Sequence, residues 1–192
     1  MENITELPPA EPPAPAISRS SSWAWLVVWV GVLALLGLLA FGLIRTQRGP
    51  VARGDTAPDF TFRTFDGEEY SLAGLQGKVV VLNFWASWCK PCELEAADLQ
   101  RAWELYQPRG DVLFLGMTYV DTEPESLAYL VKFGITYPNG PDLGQKIYRD
   151  FRASGVPETY FIDGNGQLAY IKIGPFSALS EITAIVDGML GE

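Results

Sequence analysis

The sequence predicts an α/β sandwich with a mixed central sheet flanked by helices, preceded by one transmembrane helix. Three observations carry that prediction. Residues 79–84 (VVVLNF) form a continuous apolar run, as a strand covered on both faces does, and residues 111–118 form a second. Helical patterns alternate with these runs, and the chain closes on a hairpin and a helix. Residues 23–44 (WAWLVVWVGVLALLGLLAFGLI) carry no charge at all.

The elements follow in chain order. Residues 1–22 hold five prolines between Pro8 and Pro15 and then a serine run, with little to bury, so they read as a disordered tail. Residues 23–44 would span about 33 Å as a helix, enough to cross a bilayer's hydrocarbon core. Trp23, Trp25 and Trp29 gather at one end, where indoles favour the membrane interface. The apolar stretch is longer than a cleaved signal peptide usually has, and Ala40-Phe41-Gly42 is a weak cleavage site, which favours an uncleaved signal-anchor. Residues 45–54 form a linker. Residues 55–192 form one further domain, long enough for one real core.

Within that domain, residues 60–63 and 69–71 flank Asp66-Gly67 as an N-terminal hairpin. A helix is expected over 91–106. Thr122-Glu123-Pro124-Glu125 reads as a capping box opening another helix, stopped by Gly134. A short helix is expected near 145–151. Residues 159–162 and 168–173 surround Asp163-Gly164-Asn165-Gly166, a hairpin signal. The last helix places Leu179, Ile182, Ile185, Val186 and Met189 on one side.

Composition narrows the chemistry. Without a histidine, Ser-His-Asp and Cys-His nucleophile pairs are excluded, as are His-ligated haem and most zinc or copper sites. No metal site or cofactor is expected. Twenty of the 23 acids and ten of the 14 bases fall in residues 55–192, a net of −10 there, which argues against a nucleic-acid partner.

The only two cysteines stand in Trp88-Cys89-Lys90-Pro91-Cys92, at the end of an apolar strand and the start of a helix. Free N–H groups and the helix dipole stabilise an anion there, so a thiolate has a lowered pKa and becomes the attacking species. Cys89, preceding the first turn, is expected to be the exposed nucleophile. Cys92, one turn on, is expected to point inward and resolve a mixed disulfide. Pro91 suits the first turn because it has no N–H to leave unsatisfied. Lys90 adds a positive charge near the thiolate. Zinc would need two more ligands, and a structural disulfide closing so short a loop would add little stability.

These residues resemble the thioredoxin superfamily, in particular the TlpA/ResA/CcmG (DsbE)-like membrane-anchored thiol-disulfide oxidoreductases. The stretch from Val81 to Cys92 (VLNFWASWCKPC) is one signature, and Gly155-Val156-Pro157-Glu158-Thr159-Tyr160-Phe161-Ile162-Asp163 is the second. The resemblance implies a thioredoxin-like sandwich with an N-terminal β-hairpin extension and a redox-active Cys89–Cys92 disulfide. It implies that Val156-Pro157 is cis and lies against that disulfide, with neighbouring backbone free to pair with an incoming peptide. It also implies a partly buried Glu95, one turn after Cys92, that tunes the thiols and moves protons. Asn83 stands where thioredoxins proper often carry a buried Asp, and Glu158 stands where the cytochrome-maturation branch can contact substrate. Trp88 is a site-wall residue that shields the disulfide. One departure is Ala97, where the family often has proline.

The function so implied is a membrane-tethered, extracytoplasmic reductase of protein disulfides. Apocytochrome c haem-site cysteines are the implied target, and a CcdA- or DsbD-like membrane protein is the implied electron donor. Orientation is contested within the sequence. Arg45, Arg48 and Arg53 follow the span and only Arg19 precedes it, which alone favours a cytoplasmic C-terminal domain. The implied role requires the opposite, an N-in anchor. The rival readings are a disulfide-forming oxidant, a peroxiredoxin and a thioredoxin-fold metal-binding module. The peroxiredoxin pattern Pro-x-x-x-Thr-x-x-Cys would need Pro and Thr where Leu82 and Ala86 stand.

Overall fold

A computed structural model of the chain describes residues 22–46 and 51–191. The expected tail therefore lies outside the described residues, except for Ser22, and so does the part of the linker at 47–50. The chain divides into two units at Arg48 and Gly49. In the first, helix α1 (Ser22–Thr46) contains a span, Trp25–Gly42, with a mean hydropathy of 2.4. It is long and apolar enough to cross a membrane, and its tryptophans are exposed.

The second unit is built on a five-stranded mixed sheet. Strands β1 (Thr61–Arg63) and β2 (Glu69–Ser71) form a separate antiparallel hairpin. Then come β3 (Val79–Trp85), β4 (Val112–Thr118), β5 (Asn139–Pro141), β6 (Glu158–Ile162) and β7 (Leu168–Ile173), in the spatial order β5-β4-β3-β6-β7. The β3–β4 and β4–β5 pairs are parallel, whereas β3–β6 and β6–β7 are antiparallel. The helices are α2 (Lys90–Tyr106), α3 (Glu123–Phe133), α4 (Lys146–Asp150) and α5 (Leu179–Leu190).

Strand β3 is central and buried along its whole length, and its period of two sorts its residues between two cores. Val80, Leu82 and Phe84 enter one core with Phe60 and Phe62 of the hairpin, Ile147 and Tyr148 of α4, and Phe151. Val79 and Val81 enter the other with Leu99 and Trp103 of α2 and Ile182 and Val186 of α5. Each such large apolar side chain contributes about 1.5–3 kcal/mol when fully buried. The same alternation puts Asn83 and Trp85 on the α2 face.

Two details differ from the sequence reading. Strand β5 was not foreseen. Its sequence, Asn-Gly-Pro, has no apolar pattern, and it exists by pairing with the edge of β4 and under the hairpin. Gly140 permits that approach: a Cβ there would stand 2.3 Å from the Arg63 carbonyl oxygen. Helix α3 does start after Thr122 and ends at Gly134 in a left-handed conformation (φ 64°), but no capping box forms. Thr122 Oγ1 donates to the Glu125 carboxylate (2.8 Å) instead of accepting from the helix backbone. Asp121 accepts the Thr122 N–H that Glu125 would have taken.

Candidate active site

Cys89 and Cys92 form a disulfide where β3 hands over to α2. Cys89 is the N-cap of α2 in extended conformation, and its Sγ accepts the Cys92 amide at 3.1 Å. Pro91 occupies the first turn, as expected. Sulfur at this position faces the unpaired amides of a 17-residue helix, which favour a thiolate once the disulfide is opened.

The expectation that Cys89 is exposed requires correction. In the disulfide form Cys89 is only 3% accessible and Cys92 1%. Both pack with Trp85, Ala86, Ala96 and Tyr129, and Val156 lies against the same cluster. The Val156–Pro157 peptide bond is cis. Val156 makes no hydrogen bond to another described residue, whereas the Pro157 carbonyl accepts from Gly174 N at 3.0 Å.

Trp88 is 55% exposed, and its Nε1 donates to the Val120 carbonyl (3.0 Å). Its indole, next in sequence to Cys89, is thus tied to the turn after β4. Lys90 does not aim its charge at the sulfurs. Its ammonium pairs with Glu93 at 3.1 Å, and Lys132 approaches the same carboxylate oxygen at 3.2 Å.

Glu95 is 1% exposed and faces inward one turn after Cys92. Its Oε1 accepts from Asn83 Nδ2 (2.9 Å) and its Oε2 from the Phe176 amide (3.0 Å). Asn83 gives its other proton to Thr159 Oγ1 (2.9 Å). Burial pushes the Glu95 pKa up to about 7, although the Phe176 and Asn83 hydrogen bonds and the charge of Lys172 pull the other way. A carboxyl group so placed changes protonation near neutral pH.

Glu158 is also a correction. The sequence reading offered it to the substrate, but it is 3% exposed. Oε2 accepts from Ser154 N (2.9 Å) and Ser154 Oγ (3.1 Å), and Oε1 accepts from the Tyr160 hydroxyl. The carboxylate is engaged in closing the loop before β6, so its polar atoms serve the fold.

Sequence reasoning missed Asp121. Its carboxylate accepts Ser87 N (2.6 Å) and Ser87 Oγ (2.8 Å), tying the segment before Cys89 to the turn after β4. An acid two residues before a helix-opening Glu-Pro carries no signal of its own. It also missed Asn139, which accepts from Trp85 Nε1 at 2.8 Å. Among the described residues, no group of three or more Cys, Asp or Glu is arranged to hold a metal ion.

A five-stranded mixed sheet with a Cys-x-x-Cys disulfide capping the helix after its central strand defines a thioredoxin-like redox protein. A model described as the AhpC/TSA family matches residues 53–171, and the chain belongs to that family. The thiol-disulfide oxidoreductase ResA of Geobacillus thermodenitrificans is 33% identical over 148 residues, spanning 77% of this chain and 84% of its own. The thiol:disulfide interchange protein HelX of Rhodobacter capsulatus is 29% identical over 173 residues, spanning 85% and 95%. Among solved structures, a thiol:disulfide interchange protein of the thioredoxin family from Chlorobium tepidum TLS superposes with a TM-score of 0.66 at 30% identity. It covers 73% of this chain and 99% of its own. The chain is a thiol-disulfide oxidoreductase of the ResA type.

Proposed function

We propose that the protein is a membrane-tethered reductase of protein disulfides working outside the cytoplasm, with α1 as an uncleaved N-in signal-anchor. In this reading residues 1–22 are a tail, 23–44 the anchor, 45–54 a linker and 55–192 the catalytic domain. The observation that carries the chemistry is Cys89 Sγ at the N-terminus of α2, accepting the Cys92 amide at 3.1 Å.

Cys89 thiolate attacks one sulfur of the target disulfide, forming a mixed disulfide and releasing the other target sulfur as a thiolate. Cys92 then attacks Cys89, freeing the second target thiol and leaving the protein oxidised by two electrons. Glu95 accepts the proton that Cys92 must lose, a task suited to a carboxyl titrating at about 7. Pro91 holds the start of α2, and Trp88 walls the site. Val156 and Pro157 receive the substrate backbone, for which the unpaired Val156 amide and carbonyl provide partners. Lys90 contributes at most through its pair with Glu93. The likeness to ResA-type proteins favours apocytochrome c as target and a CcdA- or DsbD-like membrane dithiol protein as donor. The arginines after the span stand against this topology.

The full chain carrying Cys92→Ser tests the reading. It should accumulate a mixed disulfide on Cys89 that releases an apocytochrome c on reduction. Failure to trap any disulfide-linked partner overturns the reductase assignment. A reporter fused after Phe60 should be active only outside the cytoplasm, and a cytoplasmic signal overturns the topology.

A further inference from the structure

Glu95 reaches the protein surface through a short chain of contacts that belongs to neither cysteine. The loop from Gly174 to Ser177 joins β7 to α5. Its Phe176 amide is one of the two donors to Glu95, at 3.0 Å. The loop is gripped from both sides by one carboxylate. Glu181, in the first turn of α5, accepts the Lys172 ammonium on Oε1 and the Ser177 amide on Oε2 at 3.0 Å. Lys172 sits on β7, before the loop, and Ser177 at its end, so Glu181 ties the two ends together with Phe176 between them. The Lys172 ammonium also lies 5.5 Å from the centroid of the Phe176 ring, which is itself buried. The loop's first residue, Gly174, donates to the Pro157 carbonyl (3.0 Å).

We propose that the Lys172–Glu181 ion pair is a latch that holds the Phe176 amide on Glu95, making both residues positioning residues for proton handling at the disulfide. This inference rests on the proton role given to Glu95 above. Neither Lys172 nor Glu181 has to reach the sulfurs. Each side chain of the pair is only partly exposed, 20% and 30%, so the pair is less screened than a fully solvated surface pair. Among the described residues, the other polar groups near Glu95 are Asn83 of β3 and, through it, Thr159 of β6, which are neutral, and Tyr129 and Tyr137. Burial, with a contribution from the charge of Glu95, keeps those two phenols protonated. Lys172 and Glu181 are therefore the charged groups that distinguish a latch from a field. Acting only through space, Lys172 stabilises the Glu95 carboxylate and Glu181 opposes it. Acting as a latch, both stabilise it, because losing either one frees the Phe176 amide.

The test is the titration of Glu95 in the oxidised full chain in detergent. Its protonated-carboxyl infrared band is identified by its loss in Glu95→Gln. Lys172→Met and Glu181→Ala should both move the midpoint upward, by about half a pH unit or more. Lys172→Arg, which can keep the pair, should leave it in place. If Glu181→Ala does not fold, Glu181→Gln removes the charge and keeps an acceptor for Ser177. The latch then predicts a smaller upward shift, and charge alone predicts a downward one. Opposite shifts for the two positions, or none, overturn the latch. The rate of exchange with a disulfide-closed Cys-x-x-Cys peptide is followed over the same pH range. A Glu95→Gln chain that retains the wild-type profile would refute the proton role of Glu95, whereas a flattened profile with unmoved variants would refute only the latch.

Discussion

Asn83 and Glu95 meet in a 2.9 Å hydrogen bond that joins the central strand to the helix carrying both cysteines. Asn83 is buried and has both amide protons committed, one to Glu95 and one to Thr159. A neutral amide at this place leaves the carboxyl of this pair to Glu95, one turn after Cys92.

That placement predicts a pH-dependent stability. Burial raises the Glu95 pKa from 4.5 to about 7 in the folded chain, while the unfolded value stays ordinary. Between those values the folded state binds more protons than the unfolded state. Stability contributed by the neutral carboxyl is therefore complete below about pH 4.5, falls as pH rises, and is gone above about 7. The shift corresponds to about 3 kcal/mol. Denaturant unfolding of the full chain and of Glu95→Gln at pH 5 and pH 8 should show the wild type losing most of it, about 2.5 kcal/mol, relative to the variant. A gap between the two proteins that does not change with pH would discount Glu95 as the titrating group.

The strands and helices that meet the cores were legible because their apolar period is local: β3, β4, α2 and α5 stand within a residue or two of their expected positions. The placement of the cysteine pair at the start of a helix after a buried strand was legible for the same reason, whereas the burial of Glu95 was expected only from the family resemblance. Most of what was not legible depends on contacts between distant segments. Strand β5 borrows its order from β4. Cys89 is covered by groups as far away as Val156 and Tyr129. Glu158 was illegible for another reason: its partners Ser154 and Tyr160 are close in sequence, but hydroxyl and amide donors in an irregular loop carry no periodic signal.

The burial of Glu158 predicts that its removal harms folding more than chemistry. Glu158→Ala leaves Ser154 N and one interaction of the Tyr160 hydroxyl without an acceptor, at a cost of about 1–3 kcal/mol. The Tyr160 hydroxyl keeps its second partner, the Phe151 carbonyl at 3.2 Å. The denaturation midpoint should fall, and the exchange rate with a peptide disulfide, per folded molecule, should stay close to wild type. A rate loss greater than about tenfold at unchanged stability would instead return Glu158 to the substrate surface.

Gly116 on β4 is predicted to tolerate no side chain. A Cβ there would stand 1.8 Å from Asn139 Oδ1 and 2.9 Å from Trp85 Nε1, the two atoms that share a 2.8 Å hydrogen bond. Gly116→Ala must therefore push Asn139 aside, break that bond and disturb Trp85, which packs in the cysteine cluster. Overpacking and the orphaned buried partners together should cost about 2–5 kcal/mol, read as a lower denaturation midpoint. A midpoint within experimental error of wild type would mean that β5 can withdraw from the sheet edge without penalty.

Asp121 is predicted to act on rate as well as on stability. It holds Ser87 by two hydrogen bonds, and the next residue, Trp88, is held by the neighbouring Val120 carbonyl. Val120 adopts a left-handed conformation (φ 44°) that a β-branched residue seldom takes, and the adjoining contacts must offset the strain. Asp121→Ala removes both acceptors for Ser87, which should cost about 1–3 kcal/mol and let the segment before Cys89 shift. Small displacements of a reacting group lower rates steeply, so exchange with a peptide disulfide should slow about threefold to tenfold in chains that remain folded. Asp121→Asn keeps one carbonyl acceptor and should fall between the two. Stopped-flow measurement of the three proteins, corrected for the folded fraction, gives the comparison. An Asp121→Ala chain that exchanges at the wild-type rate would assign the Ser87 contacts to stability alone.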